Sequence, residues 1–217
     1  MSLAARQLAC EAIGTVLLLA TVVGSGVMAQ RLSAGNDGVA LLGNTAATGA
    51  MLYVLITIFG PLSGAQFNPL VSALLAPRGL KLPYIVTQFC AAIGGVWLAH
   101  AMFDLNIIQS SAHVRADPAQ WLSEAVASFG LVMTIIIGVR HKPEAVPALV
   151  AMWVVAGYWF TASTCFANPA VTIARALSDT FAGIRPIDAP GFIIAQCAGG
   201  YAARSFCNWL IGPEPQA

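Results

Sequence analysis

The chain has 217 residues, of which 58% are hydrophobic and only 9% are charged, and its formal net charge is +1. Soluble domains carry about 25% charged residues, so this composition excludes a water-soluble globular protein and a disordered chain. It also excludes a nucleic-acid-binding protein, because such proteins present a basic surface. The composition predicts an integral membrane protein that uses most of its length to cross the bilayer.

Six segments are long and apolar enough for transmembrane helices, which need about 20 residues each. Their approximate bounds are 8–29, 40–61, 83–103, 120–139, 145–163 and 189–211. Two further apolar segments, 67–77 and 167–178, are too short to cross the bilayer. We therefore expect an all-α membrane protein with six spans and two re-entrant segments.

The distribution of basic residues predicts the orientation of the chain. With a cytoplasmic N-terminus, the cytoplasmic side carries Arg6, Arg78, Lys81, Arg140, Lys142 and Arg204. The opposite side carries Arg31, Arg115, Arg175 and Arg185. The positive-inside rule thus favours cytoplasmic N- and C-termini, and the compact chain with short loops suggests a bacterial inner membrane.

Three sequence features occur twice in the same order. They are an acidic residue early in a span, an Asn-Pro dipeptide after the next span, and a glutamine followed by Gly-Gly in the third. The pairs are Glu11 and Glu124, Asn68-Pro69 and Asn168-Pro169, and Gln88 and Gln196. Each half, about 1–110 and 111–217, therefore holds three spans and one short segment. Because three is odd, the halves must enter the bilayer in opposite directions, which predicts an inverted repeat.

The two Asn-Pro dipeptides each predict the start of a short helix, because Asn is a favoured N-cap and Pro a favoured first helical residue. Inversion brings the N-termini of these helices together near the middle of the bilayer. There, the amides of Asn68 and Asn168 offer N–H donors to water or hydroxylated solutes. The positive ends of the two helix dipoles repel cations.

The segments around these dipeptides, together with Glu11 and Glu124, resemble the aquaporin and aquaglyceroporin (major intrinsic protein) family over nearly the whole chain. The segments are Gln66-Phe67-Asn68-Pro69-Leu70-Val71-Ser72 and Phe166-Ala167-Asn168-Pro169-Ala170-Val171-Thr172. The resemblance implies a single channel domain over residues 1–217, assembled as a homotetramer with one pore per subunit. It implies passive flux of water or small neutral solutes, with no enzyme activity, cofactor or metal.

The same resemblance assigns roles to individual residues. Glu11 and Glu124 are expected to support the re-entrant loops by accepting hydrogen bonds from the loop backbone. The pore motifs are expected to be Asn68, Pro69 and Leu70 in the first half and Asn168, Pro169 and Ala170 in the second. Leu70 stands where the family usually has Ala, so we expect it to narrow or shift the middle of the pore.

A second departure concerns the selectivity filter. The family usually has an arginine after the second Asn-Pro-Ala, and this chain has Val171. Carrying over the family's other filter positions by their spacing from each asparagine gives Thr48, Ala156 and Cys165, with Gly157 as the alternative to Ala156. Such a filter is small, mostly apolar and uncharged, and resembles that of bacterial arsenic-handling aquaglyceroporins.

This filter predicts passage of glycerol-like polyols, urea and uncharged metalloid acids such as arsenite, in addition to water. Two alternatives stay open, namely a strict water channel and a secondary active transporter. Arg175 also has two interpretations. It lies one helical turn after Val171 and could partly replace the missing filter charge, or it is an interfacial arginine that reaches the headgroups.

Overall fold

The structure is a computed structural model that describes residues 2–212. The described residues form eight α-helices and two short 3₁₀ turns and contain no β-strand, which confirms the predicted all-α fold. The helices are α1 (Leu3–Leu32), α2 (Asp37–Ser63), α3 (Pro69–Leu75), α4 (Lys81–Met102), α5 (Pro118–His141), α6 (Val146–Phe160), α7 (Pro169–Arg175) and α8 (Ala189–Ile211).

Each of the six predicted spans coincides with one long helix. By length and composition, α1, α2, α4, α5 and α6 with its preceding 3₁₀ turn can each cross a membrane. Helix α8 is of similar length but less apolar, because polar residues such as Gln196, Arg204 and Asn208 interrupt it. Helix α6 ends at Phe160, before the predicted 163, because residues 161–167 form the loop that leads to Asn168.

The two short helices begin at the predicted positions. Asn68 caps α3 and Asn168 caps α7, and each is followed by a proline in the first turn. Each helix has 7 residues, which corresponds to about 10 Å, whereas the hydrocarbon core is about 30 Å thick. Neither helix can cross the bilayer, as predicted.

Equivalent helices of the two halves make equivalent contacts. Helix α1 packs on α2 and α4, α5 packs on α6 and α8, and contact between α2 and α6 joins the halves. The short helices α3 and α7 each touch both α4 and α8 and also touch one another. Gly95 and Gly199 allow the closest approaches, because a Cβ atom at either would collide with a backbone carbonyl of α1 or α5.

Candidate functional site

The loops before α3 and α7 have an unusual backbone that repeats between the halves. Ala65 and Phe67 in the first loop, and Cys165 and Ala167 in the second, have φ angles of 46°, 48°, 53° and 47°. Non-glycine residues in this left-handed region cost about 1 kcal/mol or more each. Such loops persist only when other interactions hold them.

Glu11 of α1 provides these interactions in the first loop. Its Oε1 accepts hydrogen bonds from the Gln66 amide at 3.0 Å and the Ser63 hydroxyl at 2.7 Å. Its Oε2 accepts from the Phe67 amide at 2.8 Å and from Gln88 Nε2 at 2.9 Å. The buried carboxylate thus has four donors, and hydrogen bonds to a charged group contribute about 1.5–3 kcal/mol each.

Glu124 of α5 holds the second loop in the same way. Its Oε1 accepts from the Phe166 amide and its Oε2 from the Ala167 amide, both at 2.8 Å. Gln196 Nε2 donates to Oε2 at 2.6 Å. Both glutamates are fully buried. The structure therefore places both carboxylates behind the loops, where they accept hydrogen bonds from backbone amides and hold the loops in place.

The two repeated glutamines connect these carboxylates to the short helices. Gln88 Nε2 also donates to Ser72 Oγ in α3, at 2.8 Å. Gln196 Nε2 also donates to Thr172 Oγ1 in α7, at 2.9 Å. Each half therefore contains the same chain of polar contacts, from glutamate through glutamine to the short helix.

The two asparagines form reciprocal contacts between the halves. Asn68 Nδ2 donates to the carbonyl of Ala167 and Asn168 Nδ2 donates to the carbonyl of Phe67, both at 2.8 Å. Their Oδ1 atoms accept backbone hydrogen bonds from the first turns of α3 and α7. An amide NH₂ group has two N–H donors, so this arrangement leaves each asparagine a second donor. Both asparagines line the same cavity.

A cavity of about 300 Å³ runs past both asparagines. We call it the central cavity. Much of its polar lining comes from the two re-entrant loops, residues 64–68 and 165–168. Its apolar lining comes mainly from α1, α2, α5 and α6, including Val146, Val150 and Val154. A pathway with one polar and one apolar side lets a small solute exchange part of its hydration shell for protein groups.

A second cavity, of about 630 Å³, lies at the end where α1 and α7 finish and α2 begins. We call it the mouth cavity. Its lining is more polar and includes Asp37, His113, Arg115, Thr164 and Asp179. Arg175 lines both cavities.

The predicted filter residues Thr48, Cys165 and Val171 all line the central cavity. The placement of Ala156 is wrong, because this residue is exposed and does not line the cavity. Gly157, the alternative, is buried against the Cys165 side chain and does not line it either.

Tyr158 is the α6 residue that faces the cavity near Thr48. Its hydroxyl lies 3.4 Å from Thr48 Oγ1. The cavity-lining residues of α6 recur every fourth position, at Val146, Val150, Val154 and Tyr158. This spacing marks one face of a helix and leaves position 156 on the other side. The fourfold spacing is the sequence signal that identifies Tyr158.

Leu70 does not narrow the central cavity, contrary to the expectation from sequence. Its side chain is 2% exposed, is absent from the cavity lining and belongs to a cluster with Val132, Ala203 and Cys207. The bulk is accommodated because α8 has Gly200 beside it. A Cβ atom there would lie 2.8 Å from Leu70 Cδ2.

Arg175 is buried, with 2% exposure, at the end of α7. Because it faces the two cavities, the interpretation as an interfacial arginine that reaches the headgroups is wrong. Its Nε donates to the carbonyl of Ala182, and its guanidinium carbon lies 3.4 Å from the centroid of the Phe166 ring.

Arg115 organises the mouth cavity, although nothing in the sequence marks it as a site residue. Its Nε donates to the Gly183 carbonyl at 2.9 Å and its Nη1 donates to the Ser163 carbonyl at 3.1 Å. Burial lowers the pKa of this loop arginine to about 10, and the Glu124 carboxylate opposes the shift. Arg115 therefore stays charged at neutral pH and ties three loops together. No spacing pattern in the sequence indicates these carbonyl partners.

Comparison with known proteins identifies the family of this chain. Residues 1–154 match the family model described as major intrinsic protein. The chain belongs to the major intrinsic protein family. It is an integral membrane protein, and the members of this family are channels for water or small solutes rather than enzymes.

Curated relatives extend the match over both halves. The chain is 54% identical to Aquaglyceroporin AqpS of Rhizobium meliloti (strain 1021) over 213 residues, which cover 96% of this chain and 91% of the relative. It is 31% identical to Aquaporin Z of Bradyrhizobium diazoefficiens over 153 residues, or 63% of each chain. It is 30% identical to Aquaporin PIP2-7 of Arabidopsis thaliana over 64% of this chain and 54% of the relative.

Proposed function

We propose that this major intrinsic protein passively conducts small neutral solutes, namely glycerol-like polyols, urea and uncharged metalloid acids such as arsenite, together with water. The central cavity carries this proposal, because it combines an apolar helix face with two asparagines and two re-entrant loops along one pathway. The 54% identity to a protein named as an aquaglyceroporin supports solutes larger than water.

Each group in the pathway has a distinct role in this proposal. Asn68 and Asn168 orient the solute at the centre through their free amide N–H groups. Thr48, Tyr158, Cys165 and Val171 form the selectivity constriction of the central cavity, which all four line. Val171 is smaller than the arginine that the family usually has at this position. The additional space favours the passage of solutes larger than water.

A strict water channel is the nearest alternative, and Tyr158 is the observation that favours it. The tyrosine is larger than the alanine expected at this position and reaches Thr48 across the cavity. A secondary active transporter has less support, because Glu11 and Glu124 are engaged with backbone amides behind the loops. A coupled transporter needs such carboxylates to bind the driving ion.

The proposal includes the organisation of the protein in the membrane. Residues 1–217 form one channel domain built from the halves 1–110 and 111–217. The chain assembles as a homotetramer in a bacterial plasma membrane, with one pathway per subunit and with cytoplasmic termini. The distribution of basic loop residues supports the orientation, and the location of the central cavity within one chain supports one pathway per subunit.

Stopped-flow light scattering on proteoliposomes tests the proposed function. One preparation is exposed first to an impermeant osmolyte, which reports water efflux, and then to glycerol or urea, which reports solute re-entry. We expect fast water efflux and fast re-entry of the solute. Fast water efflux without re-entry supports the strict water channel. Flux that depends on an imposed ion gradient supports the transporter.

A further inference from the structure

The boundary between the central cavity and the mouth cavity contains one arginine, Arg175. It is the single charged residue among the described residues that line the central cavity, and it also lines the mouth cavity. A permeating solute that moves from one cavity to the other therefore passes this guanidinium. The family position for a filter arginine, one turn earlier on α7, holds Val171.

Two contacts fix the Arg175 side chain in this place. Its Nε donates to the Ala182 carbonyl in the loop after α7. The guanidinium also lies over the Phe166 ring, with 3.4 Å between the guanidinium carbon and the ring centroid, which is a cation–π contact. Arg175 is the last residue of α7, where the negative end of the helix dipole favours a cation.

These contacts leave the outer part of the guanidinium without a protein acceptor. A guanidinium has several N–H donors, and among the described residues only Nε of Arg175 has a hydrogen-bond acceptor. Arg115 provides the contrast, because its Nε and Nη1 both bind carbonyls and its guanidinium lies 5.0 Å from the same ring. Arg115 holds loops together, whereas the Nη groups of Arg175 can donate hydrogen bonds to a solute in either cavity.

We propose that Arg175 is the filter cation of this channel, supplied from one turn further along α7 than Val171. This inference rests on the proposed channel function and deepens it. Arg175 offers N–H donors to oxygen-bearing neutral solutes, and the hydroxyls of Thr48 and Tyr158 complete the polar side of the constriction. Its positive charge repels protons and metal cations that enter the pathway.

Arg175→Gln in proteoliposomes tests the inference. Glutamine keeps polarity and much of the length but removes the charge. Water efflux and glycerol re-entry are measured by light scattering, and proton leak is measured with a trapped pH-sensitive dye under an imposed potential. We expect the glycerol-to-water permeability ratio to change by about tenfold, as for the loss of a charge-assisted hydrogen bond, and proton leak to rise above the wild-type level.

Arg31→Gln is the matched control. Arg31 also donates to a backbone carbonyl, at 3.2 Å, and also lies over a phenylalanine ring, at 5.3 Å. It is exposed and lines neither cavity. We expect Arg31→Gln to behave like the wild type in both assays.

Arg175→Lys is a second test variant, for the case that circular dichroism and size-exclusion chromatography show that the glutamine variant does not fold. Lysine keeps the charge but presents an ammonium in place of the planar donor group. We expect proton exclusion to persist and the glycerol-to-water ratio to shift. Wild-type values in both assays for the folded Gln variant, or an unchanged ratio for Lys, would overturn the inference. Absence of any flux through the wild type would instead reject the proposed function.

Discussion

The side chain of Leu70 on α3 occupies the space that Gly200 on α8 leaves open. The distance from a Cβ atom built on Gly200 to Leu70 Cδ2 would be 2.8 Å, closer than carbon atoms approach. The two residues come from opposite halves of the chain, so this contact helps to set the distance between α3 and α8. The unusual leucine in the first pore motif is thus matched by a residue far away in sequence.

We expect Gly200→Ala to lower the free energy of unfolding by about 1–3 kcal/mol, because overpacking strains a filled core. Leu70→Ala alone also destabilises, since it leaves a cavity. The double variant should lose less unfolding free energy than the sum of the losses in the two single variants. Thermal unfolding in detergent measures this difference, which is the coupling energy between the two residues. Additive losses would contradict the contact. Flux through folded Leu70→Ala should match the wild type, because Leu70 does not line the pathway.

Glu124→Gln tests the support of the second re-entrant loop. The substitution replaces one carboxylate oxygen by an NH₂ group that cannot accept a hydrogen bond from the Phe166 or Ala167 amide. We expect a loss of about 1.5–3 kcal/mol in the free energy of unfolding and a marked fall in water flux. Glu144→Gln is the control, because Glu144 is exposed in the turn between α5 and α6. Equal unfolding free energies and equal water fluxes in the two variants would contradict the role of Glu124 in supporting the loop.

Tyr158→Phe tests which face of α6 points into the pathway. The change removes the hydroxyl near Thr48 and keeps the ring. Loss of one hydrogen bond to a solute, about 1 kcal/mol, corresponds to about a fivefold fall in glycerol permeability. Ala156→Val should leave flux unchanged, because Ala156 is exposed on the other face. An effect of Ala156→Val without an effect of Tyr158→Phe would support the original assignment of Ala156.

His113 predicts a pH dependence of stability. Burial, and then the charges of Arg115 and Arg175, lower the pKa of this loop histidine below its usual 6.5, and Asp179 partly opposes the shift. The unfolded chain therefore binds a proton more readily than the folded chain. The contribution of neutral His113 to stability is complete above pH 6.5 and declines as the pH falls below that value.

Thermal unfolding at pH 7.5 and pH 5.5 measures this effect. We expect the melting temperature to fall less between these pH values in His113→Gln than in the wild type, since glutamine cannot gain a charge. His141→Gln serves as control because His141 is exposed at the end of α5. If the melting temperature of His113→Gln fell by as much as that of the wild type, groups other than His113 would be responsible for the pH dependence.

Local chemistry in the sequence was sufficient for several features. Asparagine at the N-cap and proline in the first turn both favour the start of a helix, and α3 and α7 begin at the predicted residues. Hydropathy alone placed the long helices. The repeated order of glutamate, Asn-Pro and glutamine predicted the inverted repeat, but the hydrogen bond from each glutamine to its glutamate is known only from the structure.

Features that depend on the rotation of a helix or on distant partners were not predictable by counting. The position of Ala156 was counted back along the chain from Asn168, but the end of α6 and its rotation decide which residue faces the cavity. The location of the Arg175 side chain depends on the ring of Phe166 and the carbonyl of Ala182. No periodic pattern in the sequence connects Arg175 to either group. The predicted narrowing of the pore by Leu70 is wrong because Gly200, which makes room for this side chain, is remote in sequence.

The exchanged hydrogen bonds of Asn68 and Asn168 have a mechanical consequence. Each amide is held by a carbonyl from the opposite half of the chain, so moving either loop breaks contacts in both halves and releases two strained backbone segments. The centre of the pathway therefore responds as one stiff unit. We therefore expect any change in the width of the pathway to occur at its ends, where a single loop can shift while the paired asparagines stay in place.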